Sequence, residues 1–431
     1  MPRFIYTVLL YFLIPVYFIR LLIRGASNKD YLFRWNERLG LSNLIPSKNK
    51  KIIWIHAVSV GEVNASIPLL RKLMEQLPET EFLVTTTTPT GSDILLNKMG
   101  SRVKHQYIPV DLPICVDKFL DKWQPKMLII LETEIWPNLI SNCKKRGIYT
   151  ALVNARLSEK SKIKYARFKS LISPTVFELD LILAQYESDA SRFKELADRE
   201  VALCGNLKFD QDIPDEIESI VDDIRSQWSV NQKQRPVLIA ASTHDTEEKI
   251  ILEAFKCVKS KIDNPLLIIV PRHLERFKEV HGLLLKNKLS VSLRSKKQDV
   301  TKDTDVLLGD TMGELNFLYS LSDMAFVGGS LIDHGGQNLL EPASLSLPII
   351  SGPSLRNFQE IALELEEAGA LKIIKDKEEL SSYFLKLIKD DAGRLSAGQS
   401  AYEVFINNRG SLDLIIKNLD LKLIELFKHK P

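Results

Sequence analysis

Met324-Ala325-Phe326-Val327-Gly328-Gly329-Ser330-Leu331-Ile332-Asp333-His334-Gly335-Gly336-Gln337-Asn338-Leu339-Leu340-Glu341-Pro342-Ala343 joins an apolar run to a loop with four glycines that feeds a helix. A buried strand, a glycine-rich loop and a crossover helix make the repeating unit of a doubly wound α/β sheet. Glycines let the backbone approach a bound group, a helix N-terminus offers N–H groups to an anion, and Glu341 is placed to accept hydrogen bonds from hydroxyls. The arrangement suits a nucleotide or nucleotide sugar. Its structural alternative is a plain turn, which would need none of His334, Asn338 and Glu341.

Outward from this loop the strand, loop, helix unit recurs. In the first half the apolar runs Ile52–His56, Glu81–Thr86, Met127–Leu131, Thr150–Val153 and Leu181–Ala184 are typical of buried parallel strands. In the second half Pro236–Ala241, Leu266–Val270, Asp305–Leu308, Met324–Val327 and Leu347–Ile350 read the same way. The polar interval Gln211–Gln234 contains no strand pattern. Two doubly wound domains joined by a linker follow: residues 1–28 as an anchor, 29–212 as a first domain, 213–235 as a linker and 236–431 as a second domain, its last helices being candidates to pack back on the first. Polar clusters follow the strands in both halves, where open parallel sheets bind ligands, so an active site is expected between the domains.

A chain of 431 residues with 45% hydrophobic and 26% charged residues is a folded, enzyme-sized protein rather than a disordered one. The formal charge of +3 hides an asymmetry: residues 1–51 hold nine Lys and Arg against Asp30 and Glu37, a local +7 that leaves the remainder near −4. Localised basicity argues against nucleic acid as a partner and for an anionic lipid surface. Phe4 to Ile23 is nearly continuous hydrophobe, long enough to span a bilayer or lie in one leaflet. Arg24, Lys29, Arg34 and Arg38 follow it, which places the bulk of the protein on the cytoplasmic side. A cleaved signal peptide is the alternative, with Gly25-Ala26-Ser27 as small residues, but basic residues crowd that site. Cys115, Cys143, Cys204 and Cys257 have neither disulfide nor metal spacing, and no Asp-x-Asp triplet follows a strand.

Several motifs occur together: HAVSVGEVNA (His56–Ala65), ETEIWPNL (Glu132–Leu139), NARLS (Asn154–Ser158), GNLKFD (Gly205–Asp210), PRHLERF (Pro271–Phe277), MGEL (Met312–Leu315) and the GGQNLLEPA loop. In this order they resemble the 3-deoxy-D-manno-octulosonic acid (Kdo) transferases of lipopolysaccharide synthesis, over nearly the whole chain. The resemblance implies a GT-B fold of two Rossmann-like domains facing a cleft. It implies transfer of Kdo from CMP-Kdo to a lipid A precursor, lipid IVA, at the cytoplasmic face of the bacterial inner membrane, with no metal and no cofactor. Glu62 matches the family's general base, and Glu132 and Lys208 match positions that stabilise the transition state. Pro271, Arg272, Met312, Gly313, Glu314, Asn338, Leu339, Leu340 and Glu341 match its CMP-binding segments. For Glu62 the structural alternative is a helix N-terminal carboxylate serving the dipole. For Arg272 it is a surface pair with His273, and for Met312 core packing. Two other functions compete: a GT-B enzyme using a UDP-sugar, and a non-catalytic membrane-bound nucleotide-binding module.

Overall fold

The computed structural model describes residues 2–210, 218–229 and 234–428. The chain divides into two compact units, Met1–Asp212 with Arg409–Pro431, and Ile213–Asn408. In the first, Ile52–His56 (β1), Glu81–Thr86 (β2), Lys104–Tyr107 (β3), Met127–Leu131 (β4), Tyr149–Ala155 (β5), Leu181–Ala184 (β6) and Ala202–Leu203 (β7) form a parallel sheet of order β3-β2-β1-β4-β5-β6-β7. In the second, Val237–Thr243 (β8), Leu266–Pro271 (β9), Val291–Leu293 (β10), Val306–Leu308 (β11), Met324–Val327 (β12), Ile349–Ser351 (β13) and Leu371–Ile373 (β14) form another, of order β10-β11-β9-β8-β12-β13-β14. The two halves of each sheet diverge at one point, between β1 and β4 and between β8 and β12, with β11 returning between β10 and β9 in the second sheet. Those points of reversal are the crevices where doubly wound sheets take ligands, beyond the carboxyl ends of the strands.

The central strands are apolar because both of their faces are covered. Ile53 and Ile55 enter one core with Ile129 and the helix Val60–Gln76, while Ile52 and Trp54 enter the other with Ile130 and the helices on the opposite face. The second sheet is packed in the same way, Leu238 and Ala240 on one side, Val237 and Ile239 on the other.

The units bear on the expected boundaries at two places. The described part of the expected linker 213–235 contains a helix, Glu218–Gln227, whose Val221 and Ile224 pack on the second core. Arg225 fixes it through Nη2, which donates to both carboxylate oxygens of Asp323 at 2.9 and 3.0 Å. Residues 213–217 and 230–233 of that interval lie outside the described residues. The second domain also stops short of residue 431. Helix Ser411–Leu423 buries Ile415, Leu419 and Leu423 in the first core, and Asp210 accepts the N–H groups of Gly410 (2.8 Å) and Leu412 (2.7 Å) at its start.

The apolar N-terminus is one helix, Arg3–Ser27, continuous through Pro15. It is the one described helix long and apolar enough to cross a membrane, with a mean hydropathy of 2.0. One face lies along the first unit: Tyr6 Oη donates to Asp111 Oδ2 (2.9 Å), Thr7 Oγ1 to Asn138 Oδ1 (3.1 Å), and Phe18 meets Trp35. Phe4, Phe12, Val16, Ile19 and Ile23 point away, exposed. The basic run expected to meet a membrane is partly turned inward. Arg34 pairs with Glu37 at 2.9 Å, and Arg38 is buried, donating to Tyr17 Oη and the Thr87 carbonyl.

Candidate active site

Beyond β1 the chain turns into helix Val60–Gln76 with Ser59 as its N-cap. Glu62 is the third residue of that helix and is buried, 6% exposed. The Val58 N–H donates to its Oε2 at 2.7 Å, and Ser59 Oγ donates to its Oε1 at 2.9 Å. The Glu62 N–H in turn donates to Ser59 Oγ at 3.4 Å, half of a capping box, so the carboxylate serves the helix start and the structural role weighed for Glu62 is realised. Its electrostatics ask for more than a cap. Burial, and next the charge of Glu132, push the Glu62 carboxyl up to about 8, against the Val58 and Ser59 hydrogen bonds and with a further push from Glu134. A cap on solvent-facing helix would be held low.

Glu132 stands at the end of β4, across the sheet reversal from β1, at φ +57°. That left-handed backbone costs about 1–2 kcal/mol for a residue other than glycine and is a feature of functional sites. Its Oε1 lies 3.3 Å from Lys208 Nζ. Two asparagines position the lysine: Asn154 Oδ1, itself at φ +54°, accepts the Leu207 N–H at 3.0 Å, and Asn206 Oδ1 accepts the Lys208 N–H at 3.1 Å. Glu134 completes the cluster, its Oε2 accepting from Trp136 Nε1 at 2.7 Å, and burial pushes it up to about 7. Three carboxylates and one ammonium therefore share a partly dry site, and near neutral pH the group retains a proton. Glu62, Glu132 and Lys208 are brought together as a set.

The second unit gathers its polar groups beyond β11, β9, β8 and β12, four neighbouring strands. Pro271 ends β9, and the Arg272 N–H donates to the Thr243 carbonyl at 2.9 Å. Among the described residues no carboxylate pairs with the Arg272 side chain. His244 sits beneath His334 and His273, ring centroids at 4.2 and 5.3 Å, with Gln337 Nε2 3.1 Å from its Nε2. Burial, then His334, His273, Arg272 and Arg276, push His244 down to about 4, the response of a base in a positive field. Glu314 is already paired: Arg294 clamps it at 2.7 and 3.1 Å and holds it below the usual carboxylate range. Beside it, Gly313 turns at φ +84° and Met312 is 57% exposed, so core packing does not account for Met312.

The glycine loop is built differently from its sequence reading. The buried Glu247 carboxylate accepts N–H groups from Gly329 (2.7 Å), Ser330 (3.0 Å) and Leu331 (3.0 Å), so the start of the loop is shaped by a carboxylate of the protein itself. The helix that follows is short, Leu340–Ser344, and the Leu340 N–H is taken by Asn338 Oδ1 at 3.1 Å. Leu339 and Leu340 are core side chains that can meet a ligand only through the main chain. Asn338 Nδ2 donates to Glu341 Oε1 at 3.2 Å, which orients that carboxylate.

Residues 33–211 match the family described as 3-deoxy-D-manno-octulosonic-acid transferase (kdotransferase), and residues 222–404 match glycosyl transferases group 1. A 3-deoxy-D-manno-octulosonic acid transferase of Haemophilus influenzae is 38% identical over 96% of this chain and 97% of its own. One from Rickettsia bellii is 32% identical over 90% and 92%. The chain belongs to the Kdo transferase family. It is accordingly a glycosyltransferase, and the fold is GT-B. A UDP-N-acetylglucosamine 2-epimerase shares that fold at TM-score 0.59 and 16% identity, covering 89% of this chain and 98% of its own. MurG of Acinetobacter baumannii does so at 0.53 and 12%, covering 85% and 99%.

Four parts of this Kdo transferase's sites escaped sequence reasoning. Glu134 was visible within ETEIWPNL but without a role, and the convergence of three histidines comes from distant segments. Arg294 and Glu247 act through residues 20 to 84 positions away, so no local pattern marks them.

Proposed function

We propose that this chain transfers Kdo from CMP-Kdo to a lipid A precursor, lipid IVA, by inverting displacement without a metal, at the cytoplasmic face of the inner membrane. The observation that carries the reading is Glu62: a buried carboxyl held up to about 8 beside Glu132 and Lys208 at a sheet reversal. A general base works best with a pKa near the working pH. Its carboxylate takes the proton of the acceptor hydroxyl as the oxygen bonds to the anomeric carbon, and the bond to CMP breaks on the opposite face. Glu132 and Lys208 form a fixed ion pair whose ammonium balances charge developing around the reacting sugar.

The departing group is a phosphate monoester, and an unpaired cation is what its charge requires. Arg272 meets that need beside His273 and His334. Glu341, oriented by Asn338, suits ribose hydroxyls, and Pro271, Met312 to Glu314 and the Leu339 and Leu340 backbone complete the proposed CMP site. Family membership favours this reading over a UDP-sugar enzyme and over a non-catalytic module. Among the described residues no group of three or more His, Cys, Asp or Glu could hold a metal. In the proposed mechanism phosphate charge is met by Arg and Lys, and transfer should persist in EDTA; a strict Mg²⁺ requirement restored by added metal contradicts the mechanism. Turnover of CMP-Kdo with lipid IVA by the purified chain, set beside binding of CMP and UDP, tests the assignment, and tighter binding of UDP with no Kdo transfer overturns it.

The exposed apolar face of Arg3–Ser27 supports attachment to the membrane that holds such an acceptor.

A further inference from the structure

The N-terminal helix does not seal against the first unit. Between them lies a cavity of about 350 Å³, within the range of about 300–1,000 Å³ that takes small ligands. Leu10, Leu13 and Ile14 of the helix and Val110 and Leu112 opposite give it an apolar body. Arg20 and Arg24 line it further along the same helix, and Leu10 and Arg20 are ~15 Å apart at 1.5 Å per residue. Among the described residues no carboxylate pairs with Arg20 or Arg24. Behind the wall, buried Arg38 hydrogen-bonds the lining residues Tyr17 and Thr87, and its Nε has no partner. A greasy body with a cationic end that no carboxylate pairs, Arg24 lying over the Tyr31 ring at 5.6 Å, is complementary to an acyl chain carrying a phosphate.

The wall is also continuous with the reacting cluster. Thr87 Oγ1 donates to the Val58 carbonyl at 3.0 Å, and Val58 donates its N–H to Glu62. Trp136, another lining residue, donates to Glu134. We propose that this cavity receives one acyl chain of the acceptor lipid, with an acceptor phosphate at Arg20 and Arg24. The N-terminal helix is then a wall of the acceptor site as well as an attachment to the membrane. This inference rests on the acceptor being an acylated, phosphorylated lipid.

The test uses the full chain in detergent, CMP-Kdo, and two acceptors: the phosphorylated disaccharide with its acyl chains and the same disaccharide without them. Ile14→Trp fills the cavity, and Arg20→Ala with Arg24→Ala removes its charge. Each should raise KM for the acylated acceptor by about tenfold or more with kcat little changed, the signature of lost ground-state binding. In Ile14→Trp the ratio of the two acceptors' KM values should fall toward one. An unchanged ratio overturns the proposal. Absence of transfer by the wild type on either acceptor overturns the transferase reading instead. Because Ile14→Trp could disturb folding, wild-type protein is also labelled with an acceptor bearing a photoreactive acyl chain. Labelling within residues 10–14 or 108–112, the two apolar walls, is expected. Labelling elsewhere, or equal labelling by a bilayer phospholipid with the same probe, overturns the assignment.

Discussion

Glu62 answers two demands that pull in opposite directions. Its hydrogen bonds to Val58 and Ser59 favour an ionised cap, whereas burial and Glu132 oppose ionisation and prevail, lifting the group from 4.5 to about 8. A carboxyl whose folded pKa is raised binds more protons folded than unfolded. Its contribution to stability is full below its ordinary pKa of 4.5 and is lost as the pH rises through about 8. Glu62→Gln keeps the capping geometry and removes the ionisation, so its melting temperature should exceed the wild type's above pH 8 and match it more closely near pH 5. Near pH 5, Glu62→Ala should lose about 0.5–1.5 kcal/mol for each hydrogen bond it no longer makes to Val58 and Ser59. Thermal scans across pH separate these outcomes, and a Glu62→Gln variant less stable than wild type at pH 9 contradicts the electrostatic account. In the second unit, Arg272→Ala should weaken CMP binding by about 1–3 kcal/mol, the worth of a charge-assisted hydrogen bond. Calorimetry that finds unchanged affinity moves the phosphate site elsewhere.

At the scale of elements, the central strands were legible because they are buried on both faces and therefore read as apolar runs; β1, β2, β4, β6 and β12 keep their expected ends. The strands that sequence pattern did not reveal lie toward the sheet edges. Lys104–Tyr107 is polar, its His105 and Gln106 buried through hydrogen bonds to Thr86 and Trp123, and Ala202–Leu203 is only two residues long. The same limit hid the origin of the glycine loop's shape, because Glu247 reaches it across more than eighty residues. Motif residues were easier to find than their partners: GNLKFD pointed to Lys208, but nothing local shows that Asp210 caps a helix two hundred residues later. Asp210→Ala should cost about 1–2 kcal/mol by uncapping Ser411–Leu423. Hydrogen exchange should then quicken in that helix before it does in β1 or β4. Uniform exchange across the first unit would deny the helix its local anchorage.

For the whole molecule, the N-terminal helix has two tasks in the proposed reading, attachment to the membrane and a share of the acceptor site. Removing residues 1–24 strips the exposed apolar face and both Arg20 and Arg24, while Arg34 and Arg38 are engaged internally and offer a membrane little charge. Sedimentation with vesicles should therefore show the truncated chain largely released, and residual binding should vanish at high salt. A truncated chain that stays bound in high salt would make Arg3–Ser27 a helix of the first unit rather than an attachment. The central claim, that this Kdo transferase uses Glu62 as its base, has a more direct test. Purified wild type and Glu62→Gln are given CMP-Kdo and lipid IVA, and CMP release and the mass of the acceptor are followed between pH 6 and 9. The account predicts wild-type kcat/KM rising with pH toward about 8, as Glu62 loses its proton, and at least about a hundredfold loss in Glu62→Gln with CMP affinity retained. Turnover by Glu62→Gln within a few fold of wild type would contradict it.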